Sequence, residues 1–357
     1  MNTVFRNVFD IPFSHVFERG KFDPALGFDL SSALSAGITF TRASDGTALD
    51  VAGVLQTYST DVARFEYSNG QPQGLLLEPQ RENLCFYSED FGTGWVVSTG
   101  GTGVGATITT DAETAPDGNT TADLIVFDTG GGTTSSDLVQ LNSNAISCTA
   151  ATAYTMSFWA KTSDGSSKTY VIVHPRGASA FVTIGANWQR YTFTATSATT
   201  GTGTVRFRAR GNTTETQVSS IYLWGVQFEE GAEASSYIAT TSAAVTRAVD
   251  SATFSTDLTT SGTILIEHDV PSGDIILGDG ANTVLTSTGA GTLAISFDGT
   301  RSQSCLNGGA VSSGAGLTLG ATLRLLGSSA VQSIGHVKRY QEFDRIMSGA
   351  ELRQISK

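Results

Sequence analysis

Between residues 82 and 246 small residues cut the chain into strand-length runs, and that punctuation limits the possible folds more than any motif does. "TADLIVFDT", "YTMSFWAKT", "KTYVIVHP", "WQRYTFTAT", "TVRFRARG" and "SIYLWGVQFEE" follow one another with Gly, Ser, Thr, Asn or Asp between them. Runs of this length at fairly regular spacing predict a β-sandwich or jelly roll. Residues 247–357 repeat the theme with "GTILIEHDV", "DIILGDG", "TLAISFDGT", "LRLLGSS" and "IGHVKRYQEF". Charged residues make up 15% of the chain and glycine supplies 40 of its 357 positions. That is poor material for surface helices and good material for strands joined by tight turns. The expected fold class is all-β: tandem jelly-roll β-sandwiches, a short β-rich N-terminal leader and one short C-terminal helix. Ser348 and Glu351 have the spacing of a capping box at the start of that helix.

Three regions follow. Residues 1–81 form a leader with short strands, "ITFTR" and "GVLQTY", around a turn at Asp45 and Gly46. Its first 35 residues carry Phe5, Phe9, Phe13 and Phe17 with no strand partners nearby. Exposed aromatics in water invite aggregation, so this stretch is expected to anchor on a neighbouring protein or a symmetry mate. Residues 82–246 form the first jelly roll and residues 247–357 a second sandwich.

The net charge of −12 argues against non-specific nucleic-acid binding and against docking on anionic lipid. No stretch approaches ~18 apolar residues, so no membrane insertion is expected. The opening "MNTVFRNVFDIPF" lacks the pattern of a secretory signal. Cys85, Cys148 and Cys305 are an odd number without C-x-x-C spacing, which predicts buried thiols rather than disulfides or zinc. His15, His174, His268 and His336 do not lie at metal-ligand spacing. Asp111, Glu113, Asp117 and Asp123 offer the hard oxygens calcium takes, but the same residues compose an ordinary solvated loop. No metal or cofactor is expected. The nucleophile, zinc-protease, EF-hand and P-loop motifs are all absent from the sequence, and the chain is read as no enzyme. A glycosidase needs only two carboxylates and no local motif, so a polysaccharide-degrading enzyme stays as the least favoured alternative.

In "ARFEYSNGQPQGLLLEPQRENL", residues 63–84, a poorly charged chain concentrates Arg64, Glu66, Glu78, Arg81 and Glu82 around the buried-strand signal Leu75, Leu76, Leu77. The cluster allows two readings, a charged active site or a structural joint. Ion pairs among Arg64, Glu78 and Arg81 at a joint are the preferred one, since buried charges survive only when paired.

That stretch also carries a resemblance. "ITFTRASDGTALDVAGVLQT", "ARFEY", "GLLLEPQRENL" and "GVQFEEGAEASSYIATTSAAVTRAVD" together resemble a family of tailed-bacteriophage virion proteins from fibres, tail tips or head surfaces. Those proteins combine a short β leader, a jelly roll similar to carbohydrate-binding modules, and a concanavalin/laminin-G-like C-terminal sandwich. "VKRYQEFDRIMSGAEL" resembles the last strand and helix of such a sandwich. Glu82 replaces a small hydroxyl residue of the family pattern, and Asp45 and Gly46 replace a Ser/Thr pair. The C-terminal region is short for a complete sandwich of this kind: either strands from residues 36–81 complete it, or it is a reduced version. The resemblance implies a non-enzymatic structural component located in the virion, with other virion proteins as partners. It also implies a homo-oligomer, with a trimer favoured, and contact with host cell-surface polysaccharide. A dedicated polysaccharide receptor-binding protein is the runner-up.

Strand alternation suggests where a sugar would sit. In "TVRFRARG" Val205, Phe207 and Ala209 share one face, and Arg206, Arg208 and Arg210 the other. In "YTMSFWAKT" Trp159 falls on the polar face with Thr155, Ser157 and Lys161. If both strands lie in one sheet, Trp159 supplies a stacking platform flanked by the three arginines. The competing reading has the arginines neutralising acidic neighbours and Trp159 packed beneath a loop. Trp95, Trp188 and Trp224 are expected in the core or at the joint.

Overall fold

Leu75 and Leu77 point inward from the strand Gln71–Leu77, and their neighbours decide where the N-terminal region belongs. They share one core with Phe28, Phe40, Phe254, Ile264, Ile266 and Tyr340. The computed structural model describes residues 24–213, 217–280 and 282–357. Phe5, Phe9, Phe13 and Phe17 lie outside the described residues. The rest of the proposed anchor does not stand apart: Leu26–Asp29 pairs antiparallel with Gly335–Phe343. Phe28 meets Phe254 edge to face, with centroids 5.2 Å apart.

Residues 24–81 thus supply strands to the C-terminal sandwich. One layer is an eight-stranded sheet in which Arg64–Ser68, Gln71–Leu77 and Leu26–Asp29 join Gly335–Phe343, Gly262–His268, Gly291–Phe297, Arg301–Leu306 and Val311–Ala315. The facing layer is a five-stranded sheet running Thr39–Thr41, Ser251–Ser255, Thr322–Leu325, Ile275–Asp279, Asn282–Thr286. We call this unit the carrier. Gly74 has φ +117, and a Cβ there would stand 2.5 Å from the carbonyl oxygen of Val337. Only glycine lets the two strands approach this closely. The helix Gly349–Ile355 begins on the expected capping box of Ser348 and Glu351. It lays Leu352 against Leu265, Ala294 and Cys305 on the outside of the larger sheet.

Residues 82–246 are inserted into the carrier as a second sandwich. One five-stranded sheet runs Gln189–Thr196, Ala153–Thr162, Val218–Glu230, Ala122–Asp128, Gly105–Glu113. The other runs Ser179–Ile184, Lys168–Val173, Arg206–Arg210, Leu138–Asn142, Val96–Gly100. Phe127, Met156, Phe158, Ile172, Phe207 and Phe228 fill the space between them. The chain enters through Arg81–Asn83 and leaves through Val245–Arg247, and these two short strands pair antiparallel as a neck. A carrier hairpin, Gly46–Leu49 with Leu55–Tyr58, reaches across to the insert. Its Leu49 and Leu55 pack with Ala115, Ala122, Trp159, Trp224 and Tyr237. The turn of this hairpin forms around Asp50, whose Oδ1 accepts from the amides of Ala52 and Val54, and not at Asp45 and Gly46 as expected.

Candidate functional site

The charged stretch around Arg64 is a joint in the structure. Arg64 Nη2 lies 2.8 Å from Glu78 Oε2 and also pairs with Asp250. Arg247 stands 3.5 Å from Glu78 and 3.7 Å from Asp250, and Arg42 3.4 Å from Asp250. All five side chains are buried. Glu78 Oε1 and Oε2 also accept from the amide and hydroxyl of Ser236, at 2.7 and 2.6 Å. Burial alone would raise the Glu78 carboxyl, but Arg247, Arg64 and the Ser236 hydrogen bonds hold it well below the usual carboxylate range. Arg81 pairs instead with Glu229, at 3.6 Å. Each group here is committed to another protein group, so the cluster fixes carrier to insert and presents no free acid or base.

Trp159 belongs to this structural region. It is 6% exposed, with its ring centroid 5.4 Å from that of Trp224 and 5.6 Å from that of Tyr237. The Arg190 guanidinium lies 4.5 Å over its ring and donates to Ser157 Oγ and the Ser235 carbonyl. A Cβ on Gly225, at φ +64, would sit 2.9 Å from the Trp159 ring, so the glycine makes room for the indole. The strand Ala153–Thr162 is in one sheet of the insert and Arg206–Arg210 is in the other. The expected shared sheet of Trp159 and the three arginines is therefore corrected. They face outward from opposite sides of the sandwich because their strands lie in different sheets, a placement that alternation within a strand does not state. Trp224 and Trp95 are buried, and Trp188 is half-buried against the Trp159 cluster.

The arginines lie together. Val205, Phe207 and Ala209 are in the core, so Arg206, Arg208 and Arg210 project from the outer face of their sheet. The strand register lines up one row across the whole face: Phe181, Val171, Arg208, Gln140, Ser98. Beside it runs a second row, Ser179, Val173, Arg206, Asn142, Val96. Arg208 Nε donates to Gln140 Oε1 at 2.8 Å, and Gln140 Nε2 donates to Ser98 Oγ at 3.0 Å. Asn142 Nδ2 also donates to Ser98 Oγ, at 3.0 Å, and Arg206 Nε to Thr204 Oγ1 at 3.1 Å. Phe181 is 66% exposed on this face. Burial, with Arg210 and Arg206 close by, lowers the Arg208 pKa below its ordinary value, yet it stays a cation. The face thus offers fixed guanidinium and amide donors and, across the strand of the buried Val171, an apolar ring, an arrangement that can hold hydroxylated or anionic rings.

Sequence reasoning named the arginines and missed Phe181, Gln140 and Asn142. The signal was present as period-two alternation. In "SAFVTI" the hydroxyl residues Ser179 and Thr183 flank Phe181 on its own face, and in "LVQLN" Gln140 and Asn142 alternate with the buried Val139 and Leu141.

The other candidates do not converge. Asp123 is buried and accepts from the amides of Phe91 and Asp111, at 2.8 and 3.0 Å. Burial pushes its pKa up to about 6. Glu113 pairs with Lys161 at 3.3 Å, and Asp117 accepts from the amide and side chain of Asn119. Among the described residues no three His, Cys, Asp or Glu side chains group as metal ligands. Cys85, Cys148 and Cys305 are buried free thiols. No helix among the described residues is long and apolar enough to cross a membrane.

No protein-family model matches the chain, and no curated protein matches it. A solved structure described as "CBM4 structure and function" is similar over 39% of this chain and 95% of its own, at 18% identity and a TM-score of 0.28. At that score the likeness carries no weight.

Proposed function

We propose that this chain is a non-catalytic surface component of a tailed-phage particle, in which the carrier is the mounting and the inserted jelly roll contacts host cell-surface glycan. The observation that carries the glycan reading is the row Phe181, Val171, Arg208, Gln140, Ser98 across the outer sheet face, in which Phe181 is exposed, Val171 is buried and the three polar side chains are half-buried. Sugar rings present hydroxyls at their edges and C–H groups on their faces, and the row supplies oriented polar groups for the first and, two strands away from Arg208, an exposed aromatic for the second. The carrier hairpin packs on the opposite side of the insert, over Trp159 and Trp224, so the arginine face is on the side away from it.

The virion assignment is supported by the sequence resemblance. Its separated motifs supply Arg42, Arg64, Glu78, Arg247 and Asp250, which meet in one buried cluster. A motif set that builds the joint between mounting and insert is a signature of architecture. Assembly as a homo-oligomer, a trimer first, with other virion proteins as partners belongs to the same proposal.

Glycan-array binding by the full chain, together with a map of its position in the particle, tests the reading. Array binding that Phe181→Ala weakens supports it. Release of reducing ends from host polysaccharide would replace it with an enzymatic one.

A further inference from the structure

The guanidinium row specifies more than a sugar. Arg206 and Arg208 project from the same face, about 7 Å apart along the strand. The residues opposite them in the sheet are all neutral: Val173 and Asn142 for Arg206, Val171 and Gln140 for Arg208. Among the described residues neither forms an ion pair with a carboxylate. Like charges gathered on one sheet face repel one another, and opposite charges across strands would relieve them. In a chain with 33 acidic and 21 basic residues, acidic partners are the abundant choice, yet this face places amides and a hydroxyl beside the cations instead.

Those neutral partners hold the guanidiniums in place. Gln140 Oε1 takes the Nε–H of Arg208, and Thr204 Oγ1 takes that of Arg206. The terminal nitrogens of both have no partner among the described residues, so each fork is oriented and open to a ligand. Gln140 is itself held by Ser98 and Asn142. A guanidinium fixed through Nε and free at its two terminal nitrogens matches a planar carboxylate. Reduced freedom before binding lowers the entropy lost on binding.

We propose that the ligand of this face is an acidic polysaccharide, with the carboxylates of uronic acid residues received by Arg206 and Arg208 and a neighbouring ring set against Phe181. This rests on the glycan reading above and narrows it to one chemical class. The face would collect anions locally on a protein that repels them elsewhere, so binding is expected to weaken as salt rises.

The test uses the full chain with polygalacturonate, alginate and hyaluronate, each alongside its carboxyl-reduced form, at about 50 and about 500 mM NaCl. The expected result is binding to at least one uronate polymer, weakened about tenfold or more by carboxyl reduction and similarly by Arg208→Gln or Arg206→Gln. Both variants should melt like the parent, and Arg301→Gln, at a site 82% exposed in the carrier, should bind like the parent. Equal affinity for native and reduced polymers, with loss on Phe181→Ala, would overturn the acidic class and leave the glycan reading standing. Binding of dextran sulfate or duplex DNA as tightly as the uronates would also overturn it, as general attraction of polyanions. No binding to either form of any polymer would overturn both.

Discussion

His336 Nε2 lies 2.9 Å from Oε2 of Glu66, a residue 270 positions earlier in the chain, while its Nδ1 faces Asp269 Oδ2 at 2.6 Å. The imidazole thus links three carrier segments. Burial alone would lower its pKa, but the hydrogen bonds and charges of Asp269 and Glu66 overcome that and raise it to about 9. The folded value lies above the unfolded one, so the bound proton stabilises the fold fully below about pH 6.5. That contribution is lost as pH rises through about 9. Unfolding in urea should show the carrier weakening by roughly 1–3 kcal/mol across that window, Asp269 being half exposed and partly screened. His336→Gln should flatten the slope. An unchanged slope in the variant would show that other groups cause it.

The joint should be sensitive to loss of one charge. Arg64→Met leaves Glu78 and Asp250 buried with less cationic compensation, and breaking such a pair typically costs about 3–5 kcal/mol. Because Glu78 is ionised far below its ordinary range, its contribution is present at neutral pH and lost on acidification. In the variant the acid transition should move to higher pH. Melting and acid titration indistinguishable from the parent would show that the cluster positions the insert without stabilising it.

Trp159 and Phe181 should behave as opposites. Trp159→Ala removes a buried indole from contact with Trp224, Tyr237 and Arg190, and should cost about 3–5 kcal/mol. Phe181→Ala removes an exposed ring and should leave the melting temperature within a few degrees while weakening glycan binding several-fold, an aromatic contact contributing about 0.5–1.5 kcal/mol beyond its area. Calorimetry and a binding titration on both variants separate the two roles. A Trp159→Ala protein that melts like the parent would return that residue to the list of ligand candidates.

Truncation tests the proposed anchor. A chain starting at residue 24 keeps Leu26–Asp29, whereas one starting at residue 36 loses that strand together with the buried Phe28 and Leu30. The shorter truncation should melt like the parent and the longer one well below it. If residues 1–23 anchor the protein in its particle, the shorter truncation alone should abolish incorporation. Circular dichroism and an incorporation assay check the two halves of the prediction.

What could be read in advance follows from how far apart in sequence the determining contacts lie. The all-β class and the capped terminal helix depend on near neighbours: alternation in "TVRFRARG", or Ser348 three residues before Glu351. The faces of Arg206, Arg208 and Arg210 were legible for the same reason. Their sheet was not, because pairing Arg206–Arg210 with Leu138–Asn142 and Lys168–Val173 is a choice among many compatible strands. The hairpin turn was misplaced because Asp45–Gly46 and Asp50–Gly53 are both turn-like, and the tertiary anchoring of Arg42 by Ser44, Tyr58 and Ser59 decides between them.

The neck has a mechanical consequence. Arg81 pairs with Arg247 at its carrier end, and Asn83 with Val245 at its insert end. A pull on the insert along the neck stretches both strands in the same sense, so they are not made to slide past each other. The force divides between two covalent backbones, and the few hydrogen bonds between them are spared shear. Behind the neck the buried Arg247 is gripped by Glu78 and Asp250, which ties one of the two strands into the carrier. If the insert binds a ligand under load, it should therefore give way by losing its own sandwich before it tears from the carrier.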